Sequence, residues 1–169
     1  FEKQIAYVEA HPEIDVLGTN IAEFHVSPKT ESMRKRILPE KHEDIVKMSK
    51  KRNPMNHMTV CIKKESLYES GGYKTLLLLE DYYLWLRMIV GGYKLENLNE
   101  TLVNVRVGNG LEIRRSSRVY IKGWRILQKF MLKHNMVSKF QTVINMIHIY
   151  GFVYCPVFIK KVVYDKILR

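Results

Sequence analysis

The period of the apolar positions changes several times along the chain, and each change predicts a new element. Phe1, Ile5 and Val8 share one face of an amphipathic helix over residues 1–10, stopped by His11-Pro12. Val16, Leu17, Ile21 and Phe24 mark a mostly buried strand within residues 14–24, in which Gly18 bends the chain or admits another backbone closely. Residues 25–39, HVSPKTESMRKRILP, are polar and hold two prolines, which predicts a surface loop or irregular edge. A helix is expected over 39–52, with Ile45, Val46 and Met48 apolar and a Lys50-Lys51-Arg52 end suited to the negative helix pole. HMTVCIK, residues 57–63, is apolar on both faces and predicts a central strand, and KESLYES predicts a short helix.

Gly71-Gly72-Tyr73 breaks that helix, and a greasy run, Leu76 to Leu79, leads into the next. Leu84, Trp85, Met88 and Ile89 recur at helical spacing over Glu80 to Val90, with Gly91-Gly92 as the C-cap. Short strands are expected at Tyr93–Leu98 and Thr101–Val107, joined by Asn99-Glu100. The order α-β-α-β-α-α-β-β, without repeats, implies an α/β sheet of mixed direction.

The last third differs. Ser116 or Ser117 can cap a helix reaching about His134, with Tyr120, Trp124, Leu127 and Met131 on one face and Arg118, Lys122, Arg125, Lys129 and Lys133 elsewhere. From Phe140 to Ile159 no residue is charged. That length approaches a bilayer span, but Gln141, Asn145, His148, Gly151 and Pro156 interrupt it. A helical hairpin lying in the membrane interface is favoured over a true span, and a plain buried helix stays open.

The 169 residues, 46% of them apolar, suit roughly one globular domain. The chain does not begin with methionine and shows no signal-peptide pattern, so it reads as the middle of a domain. Cys61 and Cys155 lack the number and spacing of a disulfide framework or zinc site and are expected to be buried thiols facing the cytoplasm. The net charge of +11 is uneven: residues 1–115 hold 18 Lys and Arg against 16 Asp and Glu, whereas 116–169 hold 10 against the single Asp165. A tail at +9 expects an anionic partner, nucleic acid or membrane.

Glu80 and Asp81 are the adjacent acids that suggest chemistry, because a first helical turn keeps a carboxylate ionised and fixed in direction, as a general base requires. Glu43-Asp44 is a similar pair among charged neighbours and reads as solvated. Asn53, Asn56 and His57 are compact polar groups at the mouth of a strand, where α/β folds place ligands. Gly71 and Gly72 offer bare backbone to a flat substrate, and Trp85 joins these as a substrate-binding candidate. Arg106, Arg114 and Arg115 flank a Gly-rich segment before a helix start, where cations and backbone N–H groups can meet phosphate.

FEKQIAYVEAHPEIDVLGTNI, RNPMNHMTVCIKKESLYESGGY, LLEDYYLWLRMIVGGYKLENLNETLVNVRV and GNGLEIRRSS together resemble the C-terminal part of a family 2 glycosyltransferase of bacterial capsule, O-antigen or exopolysaccharide synthesis. The resemblance covers most of residues 1 to 117, and the tail matches only in character. It implies a truncated, Rossmann-like GT-A fold: a mixed sheet with flanking helices, acceptor-side over residues 1–115, then a basic, partly apolar helical tail over 116–169. It also implies that Asp81 is the general base, with Glu80 orienting it or holding acceptor hydroxyls. In the implied reaction an acceptor hydroxyl displaces the diphosphate of a nucleotide-sugar with inversion, Arg114 and Arg115 steadying the leaving group.

The acceptor would be a saccharide or lipid-linked saccharide. A divalent cation, Mg²⁺ or Mn²⁺, is implied for the whole enzyme, yet no DxD occurs in these 169 residues, so the fragment alone is expected to bind donor poorly. The expected location is cytoplasmic, peripheral on the inner face of the cell membrane. Two other readings use the same features: a basic nucleic-acid-binding module, and a non-catalytic assembly partner. Charges flanking a long uncharged run suit lipid better than nucleic acid, so an anionic membrane surface is the expected partner.

Overall fold

A computed structural model of the chain describes residues 1–29, 32–108 and 117–156. They form two compact units, residues 1–74 with 81–107, and residues 75–80 with 108 onward. The first is an α/β unit on a mixed sheet. Its centre is β1 (Val16–Phe24), whose entire length pairs with the parallel strand β4 (Leu95–Arg106). The other side of β1 is shared by two short antiparallel partners, β2 (Arg34–Arg36) and β3 (Cys61–Ile62). Helices α1 (Glu2–Ala10), α2 (His42–Ser49), α3 (Lys64–Glu69) and α4 (Glu80–Val90) complete it, with Glu80 grouped in the second unit.

Val16, Ile45, Met55, Leu84, Trp85, Met88 and Leu95 pack as one buried cluster between sheet and helices. Gly18 belongs to this packing: a Cβ there would lie 2.2 Å from Asn97 Oδ1 and 2.9 Å from Met55 Cε. The close approach expected at Gly18 therefore comes from side chains, not from backbone. Asn97, buried on β4, donates from Nδ2 to the carbonyls of Pro39 (2.8 Å) and Pro54 (3.3 Å), so a missing side chain on β1 lets β4 hold two loops.

Several expected elements are changed. HMTVCIK is not a central strand; it splits into a 3₁₀ turn, His57–Thr59, and the two-residue β3. The strands expected at 93–98 and 101–107 merge into β4, where Asn99, Glu100 and Leu102 are the residues left over by two register shifts against β1. Helix α1 forms as expected, but it buries Gln4, whose Nε2 donates to the Thr59 carbonyl at 2.7 Å, while Phe1 and Ile5 stay exposed. Part of the polar 25–39 stretch is ordered as the edge strand β2. Both cysteines are free thiols, half-buried and not fully buried.

The second unit pairs α5 (Arg118–Lys133) with α6 (Lys139–Tyr154). Ser117 caps α5, its side chain accepting from the Tyr120 amide, as Ser138 does for Gln141 in α6. Tyr120, Trp124, Leu127 and Met131 are buried, the face expected from their spacing, and Gly123 lets Leu79 approach, since a Cβ there would sit 2.8 Å from Leu79 Cδ1. Among the described residues no helix is long and apolar enough to cross a membrane.

Candidate active site

Asp81 lies half-buried in the first turn of α4. Its Oδ2 accepts from Asn53 Nδ2 at 2.7 Å, and its Oδ1 accepts from the Tyr82 amide at 2.7 Å. Asn53 is itself oriented, because its Oδ1 accepts from the Met55 amide at 3.2 Å, which leaves only the NH₂ end to meet the carboxylate. The Pro54 carbonyl that follows is held by Asn97. A carboxylate with one hydrogen bond on each oxygen keeps acceptor capacity for a substrate hydroxyl and a fixed direction in which to use it.

Asn56 has a different job from the one its sequence position suggested. It is buried, donates from Nδ2 to the Thr19 carbonyl at 2.8 Å, and its backbone carbonyl accepts from Thr59 Oγ1 at 2.8 Å. Thr59 Oγ1 in turn accepts from the Thr19 amide at 2.9 Å. This knot ties the 3₁₀ turn to β1 and leaves the next residue, His57, at the surface. His57 Nε2 stands 2.9 Å from the Tyr73 hydroxyl. The His57 ring also meets the Trp85 ring edge-on at 6.2 Å between centroids. Trp85, expected to touch substrate, has no exposed surface and packs in the core, so within this structure it backs His57 from below.

Gly71 and Gly72 stop α3. Gly71 has φ +81°, and the pair of bonds from the Gly71 amide to the Tyr68 carbonyl and the Gly72 amide to the Leu67 carbonyl, both 2.9 Å, is a Schellman motif. The turn exposes carbonyls to Arg87 of α4, whose Nη1 and Nη2 donate to the Ser70 and Gly72 carbonyls. Burial pushes the Arg87 guanidinium below its usual range, while Tyr83, whose ring lies 5.0 Å away, acts in the opposite sense. Arg87 thus braces the segment that delivers Tyr73 to His57. Tyr73 follows the expected Gly71-Gly72 pair directly, whereas Arg87 is not among the expected site residues, and its signal is a lone cation inside the apolar run LWLRMIV.

No profile of a known protein family matches the chain. Individual relatives do. A glycosyltransferase of Haemophilus influenzae, itself uncharacterized, is 40% identical over 137 residues, 80% of this chain and 49% of that protein. The amylovoran biosynthesis glycosyltransferase AmsE of Erwinia amylovora is 38% identical over 72% of this chain and 45% of its own. The chain belongs to the glycosyltransferases. An Escherichia coli relative at 28% identity matches all of this chain and 61% of its own; its name is UDP-Gal:alpha-D-GlcNAc-diphosphoundecaprenol beta-1,3-galactosyltransferase. The chain spans about half the length of the first two relatives.

Glu80, Arg106, Arg114 and Arg115 are the remaining expected residues of the chain. Glu80 opens α4 with an exposed side chain. Arg106 ends β4, stacked 5.5 Å over the Phe24 ring and donating to the Val26 carbonyl at 3.3 Å. Phe24 is five residues along β1 from Thr19, about 17 Å by strand rise, so Arg106 is remote from the Asn56 knot. Arg114 and Arg115 fall outside the described residues. Glu43 and Asp44 are exposed, with Asp44 paired to Lys47 at 2.8 Å, the solvated arrangement expected of them. Among the described residues no group of three or more His, Cys, Asp or Glu is placed to hold a metal ion. The described residues thus offer no such cluster for the divalent cation that the resemblance implies for the whole enzyme.

Proposed function

We propose that the chain is the acceptor-side part of an inverting, family 2 type glycosyltransferase, acting in bacterial surface-polysaccharide synthesis. The observation that carries this reading is the Asn53–Asp81 hydrogen bond at the start of α4. In the proposed step the acceptor hydroxyl gives its proton to Asp81 as its oxygen bonds the anomeric carbon of a nucleotide-sugar. The bond from that carbon to the diphosphate breaks from the opposite face, the electron pair leaving with the nucleoside diphosphate. Asn53 keeps the carboxylate aimed during this transfer, while His57 and Tyr73 offer ring edges and a hydroxyl to an acceptor sugar. Glu80 is retained as an acceptor-side partner, and Arg106, Arg114 and Arg115 as the diphosphate-binding set.

The names of the relatives support a sugar acceptor, and one of them names a lipid-linked one. The reading places the enzyme on the cytoplasmic face of the membrane, with residues 1–115 serving the acceptor and 116–169 as the membrane-associating tail. It retains Mg²⁺ or Mn²⁺ for the whole enzyme, with ligands other than the described residues, and routes no step through the ion.

In the full-length protein, Asp81→Asn is expected to lower transfer by roughly 10²- to 10⁴-fold while nucleotide-sugar binding, measured by calorimetry, stays within a few-fold of wild type. Turnover retained by Asp81→Asn would remove Asp81 from the role of base. Asn53→Ala is expected to cost about tenfold in transfer, the effect of losing one hydrogen bond to a charged group.

A further inference from the structure

The exposed side of α6 is unusually apolar. Asn145, buried on α6, donates from Nδ2 to Gln128 Oε1 of α5 at 3.1 Å and accepts at Oδ1 from Gln141 at 2.8 Å, so a pair of amides joins Leu127, Met131 and Val153 among the buried residues of the hairpin. The outer side of α6 carries Phe140 at 75% exposure, Val143 at 56%, Ile147 at 62% and Tyr154 at 67%, each three to seven residues from the next and all on one stripe. A helix that buries an amide and leaves an apolar stripe exposed departs from the polarity of a helix facing water.

Charge supplies the second observation. Arg118, Lys122, Arg125, Lys129 and Lys133 recur on the exposed side of α5 at spacings of three and four, and residues 117–156 contain no Asp or Glu. The basic ridge adjoins α6: Arg125 Nη2 donates to the Tyr150 hydroxyl, and its guanidinium lies 5.7 Å from that ring. Between the helices Arg125, Gln128, Lys129, Leu132, Thr142 and Met146 line a groove of about 250 Å³. An apolar stripe beside a cationic ridge, with no acid within residues 117–156, complements one surface in particular: acyl chains below a layer of phosphates. Nucleic acid would answer the charge and leave Phe140, Val143 and Ile147 in water; a second protein copy would answer the apolar stripe and bring like charges together.

We propose that the outer stripe of α6 and the basic ridge of α5 form the docking surface of this chain for an anionic phospholipid bilayer. The hairpin lies along the interface with Phe140, Val143 and Ile147 set among the upper acyl carbons, Lys122, Arg125 and Lys129 among the phosphates, and Tyr154 at the boundary where its hydroxyl stays wet. The choice of lipid rests on the inner-face location proposed above.

The test is flotation of the full-length protein with vesicles of phosphatidylglycerol and phosphatidylethanolamine, against vesicles of phosphatidylcholine alone. Binding is expected to the anionic vesicles, to weaken with rising salt, and to fall about 25-fold in Lys122→Gln/Lys129→Gln, about fivefold for each charge. Phe140→Ser/Ile147→Ser is expected to reduce it about tenfold or more. All four positions lie on helix exteriors, and circular dichroism of each variant checks the fold. Equal binding to both vesicle types, no response to either double substitution, duplex DNA bound in place of vesicles, or self-association abolished by Phe140→Ser/Ile147→Ser without vesicle binding would each overturn the surface. Transfer to a water-soluble acceptor analogue is measured alongside. Unchanged transfer with lost vesicle binding supports the surface, whereas wild-type vesicle binding in a protein without transfer supports it and overturns the enzymatic reading instead.

Discussion

The two units of this chain bury polar groups in opposite ways. In the first, the buried side chains of Asn56, Thr59 and Asn97 each hydrogen-bond to backbone of another segment. In the second, Asn145 and Gln128 pair side chain to side chain, and an apolar stripe of α6, Phe140, Val143, Ile147 and Tyr154, is left exposed. Amides bonded to backbone place loops, and through Asn53 they place a carboxylate. Amides bonded to each other across two helices select which faces meet, since an unmatched amide in that position costs more than the pair gains.

Substitutions in the two units should separate these roles. The largest effect is expected at Gly18→Val. The new Cβ would overlap Asn97 Oδ1, so Asn97 must give up its bonds to Pro39 and Pro54 or β1 must shift, with about 3 kcal/mol or more lost in urea unfolding. An effect confined within about 1 kcal/mol would mean that Asn97 is not the tie that the geometry makes it. Next, Arg87→Met keeps the stem of the side chain and removes both bonds to the Ser70 and Gly72 carbonyls, for about 2 kcal/mol. Acceptor KM should rise more than kcat falls, because Asp81 is untouched; a pure kcat loss would place Arg87 in the chemistry itself.

The smallest effect sharpens the contrast most. Asn145→Leu leaves Gln128 Oε1 buried without a partner and is expected to cost about 1 to 2 kcal/mol. The double variant Asn145→Leu/Gln128→Leu should recover most of that loss, because an apolar pair of similar volume replaces a polar pair in which Gln128 Nε2 is buried without a hydrogen-bond partner. Hydrogen exchange on α6 would read this, and failure of the double variant to recover would assign the amides to stability and not to pairing.

What was legible in the sequence was local. Ser117 as a cap, the stripe Tyr120, Trp124, Leu127 and Met131, and Gly92 as the stop of α4 all follow from spacings within one helix. The Gly92 stop even keeps its Schellman bonds, Tyr93 amide to Met88 carbonyl and Gly92 amide to Ile89 carbonyl, both 3.1 Å. The first-turn position of Asp81 is equally local. The rest depends on partners far along the chain. HMTVCIK has strand composition, but Thr59 and Asn56 bond to Thr19 some forty residues upstream, and those bonds fold its first half into a turn. The exposed Ile5 was unreadable for the same reason: the Thr59 carbonyl draws Gln4 inward and sets the face of α1. Asn56 and Trp85 have the residue types of a binding site, and only packing shows that both are buried.

The bond between Asn53 and Asp81 also bears on how such enzymes can be recombined. The helix that carries the carboxylate and the segment that aims it are separated by 28 residues, and Asn97 on β4 anchors the loop from a third place. A chimera that exchanges α4 alone with a relative would import a carboxylate without the amide that aims it. Exchange of acceptor preference between relatives should therefore be attempted on residues 52–60, 80–90 and 95–98 together, as one inherited block.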